Sequence, residues 1–243
     1  MCNPEGGGIP REFKTERRPA SKRPIEVLWD LDGVIFRAEF LGKEFPPLPT
    51  IFKLLKGDNL APKDGMPNEW RPPKGLIGAL GSRLSVCLHD GRHINPEAVK
   101  ALIAFKEAAA RHQRTLKNSV LSGRTKDKHA LTERRLREEG CLDLFDRLDL
   151  NLWKSGTQWK MARTWWAVQL GKTVIGIDDD IQAGIAAASA GPKNRVREYV
   201  ICNASNAEIL LRRAKVVIPQ NLVLVKSLEE AVEHFDRIVD ELE

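Results

Sequence analysis

The chain has 243 residues, 42% hydrophobic and 30% charged, the balance of a soluble globular protein able to bury one domain with an insertion or two small domains. No run approaches the roughly 20 apolar residues that cross a bilayer, and no apolar segment follows the N-terminal charges as in a secretory leader. Cys2, Cys87, Cys141 and Cys202 are too scattered for a zinc site or a disulfide framework, so reduced thiols in a cytoplasmic protein are expected, and a net charge of +6 permits a polyanionic partner.

Residues 1–24 hold Gly6-Gly7-Gly8, four prolines and a basic set including Arg11, Lys14, Arg17, Arg18, Lys22 and Arg23, with too little apolar surface to fold. They read as a disordered basic arm ahead of a domain spanning 25–243. Ile25 to Trp29 form an apolar run that ends in Asp30-Leu31-Asp32-Gly33, which predicts a buried strand delivering two carboxylates to its C-terminal end. That end is where open α/β sheets bind ligands. A strand's period of two places Asp30 and Asp32 on one side if the strand continues through them.

Residues 34–94 contain seven of the prolines and only short apolar pieces, so they read as an irregular cap or flap inserted after the first strand. Within it Trp70, Arg71 and Lys74 put an aromatic ring beside two cations, a combination that suits a base and its phosphates. Trp70 packing the cover onto the core is the plainer reading.

Asn95-Pro96 predicts a helix start, with Asn95 as N-cap and Pro96 in the first helical position. A short strand over 118–121 ends in Ser122-Gly123-Arg124, and the helix after it is basic, with Lys126, Lys128, Arg134, Arg135 and Arg137. Residues 145–152 make a third strand, followed by Trp153-Lys154-Ser155-Gly156-Thr157-Gln158-Trp159-Lys160 and a helix stopped by Gly171. With Thr157 as N-cap, Lys160 falls in the first turn, where a cation opposes the helix dipole and implies an anionic neighbour.

Residues 173–177 form another apolar strand, ending in Asp178-Asp179-Asp180, and three adjacent carboxylates raise one another's pKa unless a cation compensates. A small-residue helix over 181–190, a strand over 199–202, a helix over 207–215 and an extended piece to 225 follow. Ser227 and Glu230 form a capping box for the last helix.

Strands alternating with helices predict an α/β parallel sheet covered on both faces. Three strand ends carry Asp-x-Asp, Ser-Gly-Arg and Asp-Asp-Asp in order, with a lysine before the last. This set resembles the four motifs of the haloacid dehalogenase-like (HAD) superfamily of phosphatases, over about residues 25–202. The resemblance implies a Rossmann-like HAD fold and a Mg²⁺-dependent phosphomonoesterase. Asp30 would be the nucleophile that forms an aspartyl-phosphate, Asp32 the proton shuttle, and Ser122, with the Gly123 amide, a phosphoryl-oxygen ligand. Lys160 or Lys154 would be the motif lysine, Lys160 fitting families whose lysine opens a helix and Lys154 those whose lysine follows the third strand. The candidate metal set is Asp30, Asp32, Asp178 and Asp179, with the Leu31 main-chain carbonyl expected from the family and the choice between Asp178 and Asp179 open.

Asp-Leu-Asp-Gly-x-x-Phe-Arg, Trp-Arg-Pro-Pro-Lys, Leu-Ser-Gly-Arg and Thr-Gln-Trp-Lys are similar to the HAD group described as Swiss Army Knife RNA-repair-like. That likeness implies a nucleic-acid terminus or nucleotide as substrate, with Arg124, Trp70 and Arg71 addressing it. A small phosphorylated metabolite is the second reading. A catalytically silent RNA-binding module is the reading from another class.

Overall fold

The computed structural model describes residues 22–40, 43–44, 92–152, 155–202 and 217–243. Most of the basic arm, most of the insertion with Trp70 and Arg71, Lys154, and the helix expected over 207–215 lie outside these residues.

Six parallel strands make the central sheet: β1 (Ile25–Trp29), β5 (Leu116–Thr125), β6 (Arg147–Asn151), β7 (Thr173–Asp178), β8 (Val196–Ile201) and β9 (Leu222–Val225), in the order β6-β5-β1-β7-β8-β9. β1 lies near the middle and is buried at all five positions, as a strand covered on both faces must be. Helices α1 (Pro96–Arg111), α2 (His129–Glu138) and α5 (Leu228–Ile238) cover one face, and α3 (Gly156–Gln169) and α4 (Ile181–Ala188) cover the other.

The alternation of side chains along β1 sorts the two faces. Ile25, Val27 and Trp29 point into the larger core with Phe105 and Phe235. There the Phe105 ring meets Trp29 edge-on at 5.6 Å and Phe235 at 4.9 Å, and the buried Trp29 indole Nε1 donates to Asn118 Oδ1 at 3.0 Å. Glu26, Leu28 and Asp30 alternate with these and face α3, where Leu28 packs with Trp159, Ala167 and Val168.

The ends of the insertion are ordered strands rather than irregular chain. β2 (Phe36–Phe40) pairs antiparallel with β3 (Lys43–Glu44) on one side and with β4 (Arg92–Ile94) on the other, so the chain leaves the domain and returns to it side by side. Asn95 closes this stem. Its side chain caps α1 by accepting from Glu97 N, as expected, and its Nδ2 donates to Val34 O at 3.0 Å.

Two expectations shift in register. The strand expected over 118–121 runs from Leu116 to Thr125, so Ser122, Gly123 and Arg124 lie inside β5. The N-cap of α3 is Ser155 rather than Thr157, because the Ser155 hydroxyl accepts from Gln158 N. Lys160 is therefore the fifth helical residue, beyond the first turn. The capping box at Ser227 forms on one side only: Ser227 Oγ accepts from Glu230 N, while the Glu230 carboxylate takes Lys226 N instead of Ser227 N.

Candidate active site

Asp30 is the first residue past β1, and its amide donates to Ile177 O of β7 at 2.9 Å, which fixes the carboxylate at the C-terminal edge of the two central strands. Asp178 ends β7 beside it. Lys160 reaches up from α3 on the same face and lies between them, with its Nζ 2.8 Å from Asp30 Oδ1 and 2.5 Å from Asp178 Oδ2. The anionic neighbours that a lysine near a helix start implied are these two carboxylates.

Asp30, Asp178 and Asp179 each place a carboxylate oxygen within 4.8 Å of the other two. Gly33 makes room for this. Its backbone has φ +99°, and a Cβ there would lie 2.1 Å from Asp179 Oδ2. Burial lifts the Asp30 carboxyl from 3.8 to about 7, Lys160 opposing the rise and Asp178 adding to it. Asp179 is likewise pushed well above its usual range by burial and by the charges of Asp30 and Asp178. Three carboxylates around one ammonium leave an excess of negative charge that a hard divalent cation with oxygen ligands offsets, so the donor set fits Mg²⁺. Asp180 stands outside the group as the N-cap of α4, accepting from Gln182 N.

A further carboxyl lies below this group. Glu198 of β8 is paired in register with Gly176 of β7, and a Cβ at Gly176 would fall 1.7 Å from Glu198 Oε2. Glu198 is buried, its Oε1 has no hydrogen-bond partner among the described residues, and burial followed by repulsion from Asp178 raises it well above the ordinary range.

Asp32 does not join the acidic group, although it was expected among the metal ligands. The chain turns after Asp30, and the Leu31 carbonyl expected on the metal accepts from Phe36 N at 2.7 Å, which closes that turn. Asp32 instead meets two guanidiniums. Arg124 holds it with Nε on Oδ2 at 2.9 Å and NH2 on Oδ1 at 2.5 Å, and Arg92 donates to Oδ1 as well. Arg124 is almost fully buried, donates also to Thr132 Oγ1 at 3.2 Å and stacks over the Phe36 ring at 5.7 Å. Its fork is therefore engaged on Asp32 rather than presented outward to a substrate.

Ser122 is buried on β5, the strand beside β1. The register that pairs Trp29 with Val120 sets Ser122 one step beyond the level of Asp30, and its Oγ accepts from Arg124 N at 3.1 Å. Gly123 lies against the start of α3. A Cβ added at Gly156 would be 3.5 Å from the Gly123 Cα, so the two backbones approach closely there. The basic helix α2 is laced by its own glutamates: Arg137 pairs with Glu133 at 2.7 Å, Arg134 with Glu138 at 3.6 Å and Arg135 with Glu139 at 3.1 Å.

Arg92 escaped the sequence reading because it sits in the proline-rich insertion, 60 residues from its partner. Glu26, Arg163 and Asp149, which form a buried ionic group under the site, also went unremarked. A charged residue at the second position of an otherwise apolar five-residue strand was their one visible signal.

No family model matches the sequence, and no curated protein does. Solved structures do. A haloacid dehalogenase-like family hydrolase from Streptococcus pneumoniae superposes with a TM-score of 0.52 at 14% identity, over 87% of this chain and 98% of that one. A structure described as a haloacid dehalogenase-like hydrolase from Burkholderia xenovorans LB400 gives a TM-score of 0.52 at 14% identity, over 89% of this chain and 99% of that one.

Proposed function

We propose that this chain, which has the haloacid dehalogenase-like fold, is a Mg²⁺-dependent phosphomonoester hydrolase. The observation that carries the proposal is the meeting of Asp30, Asp178 and Asp179 with Lys160 at the C-terminal edge of the central strands. Phosphoryl transfer asks for an in-line nucleophile, neutralisation of the phosphoryl oxygens and a proton for the leaving group.

In this reading an Asp30 oxygen attacks phosphorus while the bond to the leaving oxygen breaks, and an aspartyl-phosphate forms. Asp32 gives the leaving oxygen its proton and then takes one from the water that hydrolyses the acyl-phosphate. For that, one guanidinium of the Arg92 and Arg124 pair must release an Asp32 oxygen as the leaving group arrives. Ser122 donates its hydroxyl to a phosphoryl oxygen, and Lys160 balances the charge of Asp30 and Asp178. Asp30, Asp178 and Asp179 would hold Mg²⁺, which supplies the remaining positive charge at the phosphoryl group.

Substrate class divides two readings. A nucleic-acid terminus or nucleotide is supported by the net charge of +6 and the similarity of the motif wording to RNA-repair-like domains. A small phosphorylated metabolite is supported by α2, whose arginines are occupied by Glu133, Glu138 and Glu139. Phosphate release should be followed from an aryl phosphate, 3′- and 5′-phosphorylated oligonucleotides, nucleotides and sugar phosphates, with Mg²⁺ or with EDTA. Turnover is expected with Mg²⁺ only, and Asp30→Asn is expected to abolish it. An Asp30→Asn protein that released phosphate at the wild-type rate would overturn the mechanism. Oligonucleotide turnover that falls steeply with salt supports the first substrate class, and salt-insensitive turnover of a small substrate the second.

A further inference from the structure

The inward face of α3 is only half apolar. Trp159, Ala167 and Val168 join the core cluster there, while Lys160, Arg163 and Thr164 occupy the rest of the buried surface. Apolar packing this thin does not by itself set where a helix sits along a sheet, since dispersion and burial are non-directional. Charged pairs of defined geometry do.

Arg163 lies one turn after Lys160. Its NH2 donates to Glu26 Oε1 of β1 at 2.6 Å, and its Nε donates to Asp149 Oδ2 of β6 at 2.7 Å. Glu26 also receives Ser119 Oγ of β5 at 2.9 Å and Lys172 Nζ, from just beyond α3, at 2.7 Å. Asp149 receives Arg147 Nε at 2.5 Å. Glu26, Asp149 and Arg163 are all buried. Burial alone would raise the Glu26 carboxyl, but Arg163, Lys172 and Ser119 outweigh it and hold it below its ordinary value.

Glu26 and Asp30 lie on one face of the same strand, about 13 Å apart along it. Lys160 and Arg163 are separated by only about 4.5 Å of helix rise. The two long side chains must therefore splay in opposite directions, Lys160 toward the carboxylates at the strand end and Arg163 toward the strand start. Two such rungs to one strand fix the axial position of the helix. The sideways bond to Asp149, two strands away, fixes its rotation, and Lys172 anchors its far end.

We propose that Arg163 is a positioning residue that acts through Lys160: with Glu26 and Asp149 it sets the register of α3 on the sheet and so holds the Lys160 ammonium between Asp30 and Asp178. The catalytic part of this inference rests on the phosphatase reading; the positional part does not. Buried ion pairs contribute registry more dependably than stability, in keeping with this use.

The test uses the full chain and two readouts. In the first, trace acetic anhydride labels lysines and peptide mass spectrometry follows Lys160. Lys160 is expected to be protected in the wild type and to react at least tenfold faster in Arg163→Met. The exposed-pair control Arg111→Ala is expected to match wild type, its partner being Asp236 at 3.0 Å on the opposite face. In the second, a double-mutant cycle in kcat pairs Arg163→Met with Lys160→Met. Arg163→Met should lower kcat at least tenfold alone and less than twofold in the Lys160→Met background, whereas a merely structural residue would cost the same in both. Glu26→Gln repeats both measurements if Arg163→Met does not fold. Full protection of Lys160 in a folded variant, or equal kcat losses in the two backgrounds, overturns the proposal. Absence of turnover in the wild type defeats the phosphatase reading, and the labelling then decides the positional inference alone.

Discussion

Replacing Asp30 by asparagine should make the metal-free protein more stable while abolishing its chemistry. The substitution keeps the shape and an oxygen that accepts from Lys160, and it removes one of three crowded negative charges. Below pH 3.8 the Asp30 carboxyl is neutral in folded and unfolded chains alike and contributes no difference. Between 3.8 and about 7 the unfolded chain ionises it and the folded chain does not, so stability falls as pH rises; above about 7 the loss is complete. At about 1.4 kcal/mol per pH unit that loss is about 4 kcal/mol at pH 8, or about 10 °C in Tm for a domain of this size. Thermal melts in EDTA from pH 4 to 8 would show the two proteins coinciding at the acid end and Asp30→Asn melting higher at pH 8. Millimolar Mg²⁺ should narrow the gap by stabilising the ionised wild-type site. An Asp30→Asn protein that melts at or below the wild type at pH 8 in EDTA would refute the claim that burial, with the charge of Asp178 added, disfavours the ionised Asp30 carboxylate.

Three other substitutions probe neighbouring parts of the site. Gly33→Ala puts a Cβ where the Asp179 carboxylate sits, on a backbone with φ +99°, and is expected to lower Mn²⁺ affinity by calorimetry at least tenfold; unchanged affinity would remove Asp179 from the metal set. Arg124→Lys exchanges a two-pronged hold on Asp32 for a point charge. Its kcat should fall about 10- to 100-fold on an alkyl phosphate and less on an aryl phosphate, whose leaving group needs no proton; equal losses on both would detach Arg124 from proton transfer. Trp29→Phe removes the donor to Asn118 Oδ1 and leaves a gap beside Phe105, which should cost about 2–4 kcal/mol in urea unfolding.

Two carboxylates of the acidic half were legible because each stands at the end of an apolar strand, and the parallel sheet brings such ends together without further information. Asp30 and Asp178 needed no more than that. Lys160 was legible as a charge out of place near a helix start, although the cap on which that argument leaned lies at Ser155. The pairing of the basic half with Asp32 was hidden for a physical reason. Arg92 and Arg124 find Asp32 across 60 and 92 residues, and nothing local distinguishes an arginine bound to a half-buried carboxylate from one in water. Glu26, Arg163 and Asp149 are hidden in the same way, since their registry is a property of how α3 lies on the sheet and belongs to no single segment.

The paired stem of β2 and β4 has a consequence for how this chain can change. Phe36 faces Ile94 and Ala38 faces Arg92, so the two ends of the insertion are held at a fixed separation by the domain itself. Lengthening or exchanging what lies between them adds closure entropy of only about 0.6 kcal/mol per doubling, and the central sheet is untouched. The same stem ends in Arg92, which touches Asp32. The insertion is thus a segment whose length and sequence can change without disturbing the sheet, joined at its root to Asp32, the residue proposed to handle the leaving group's proton.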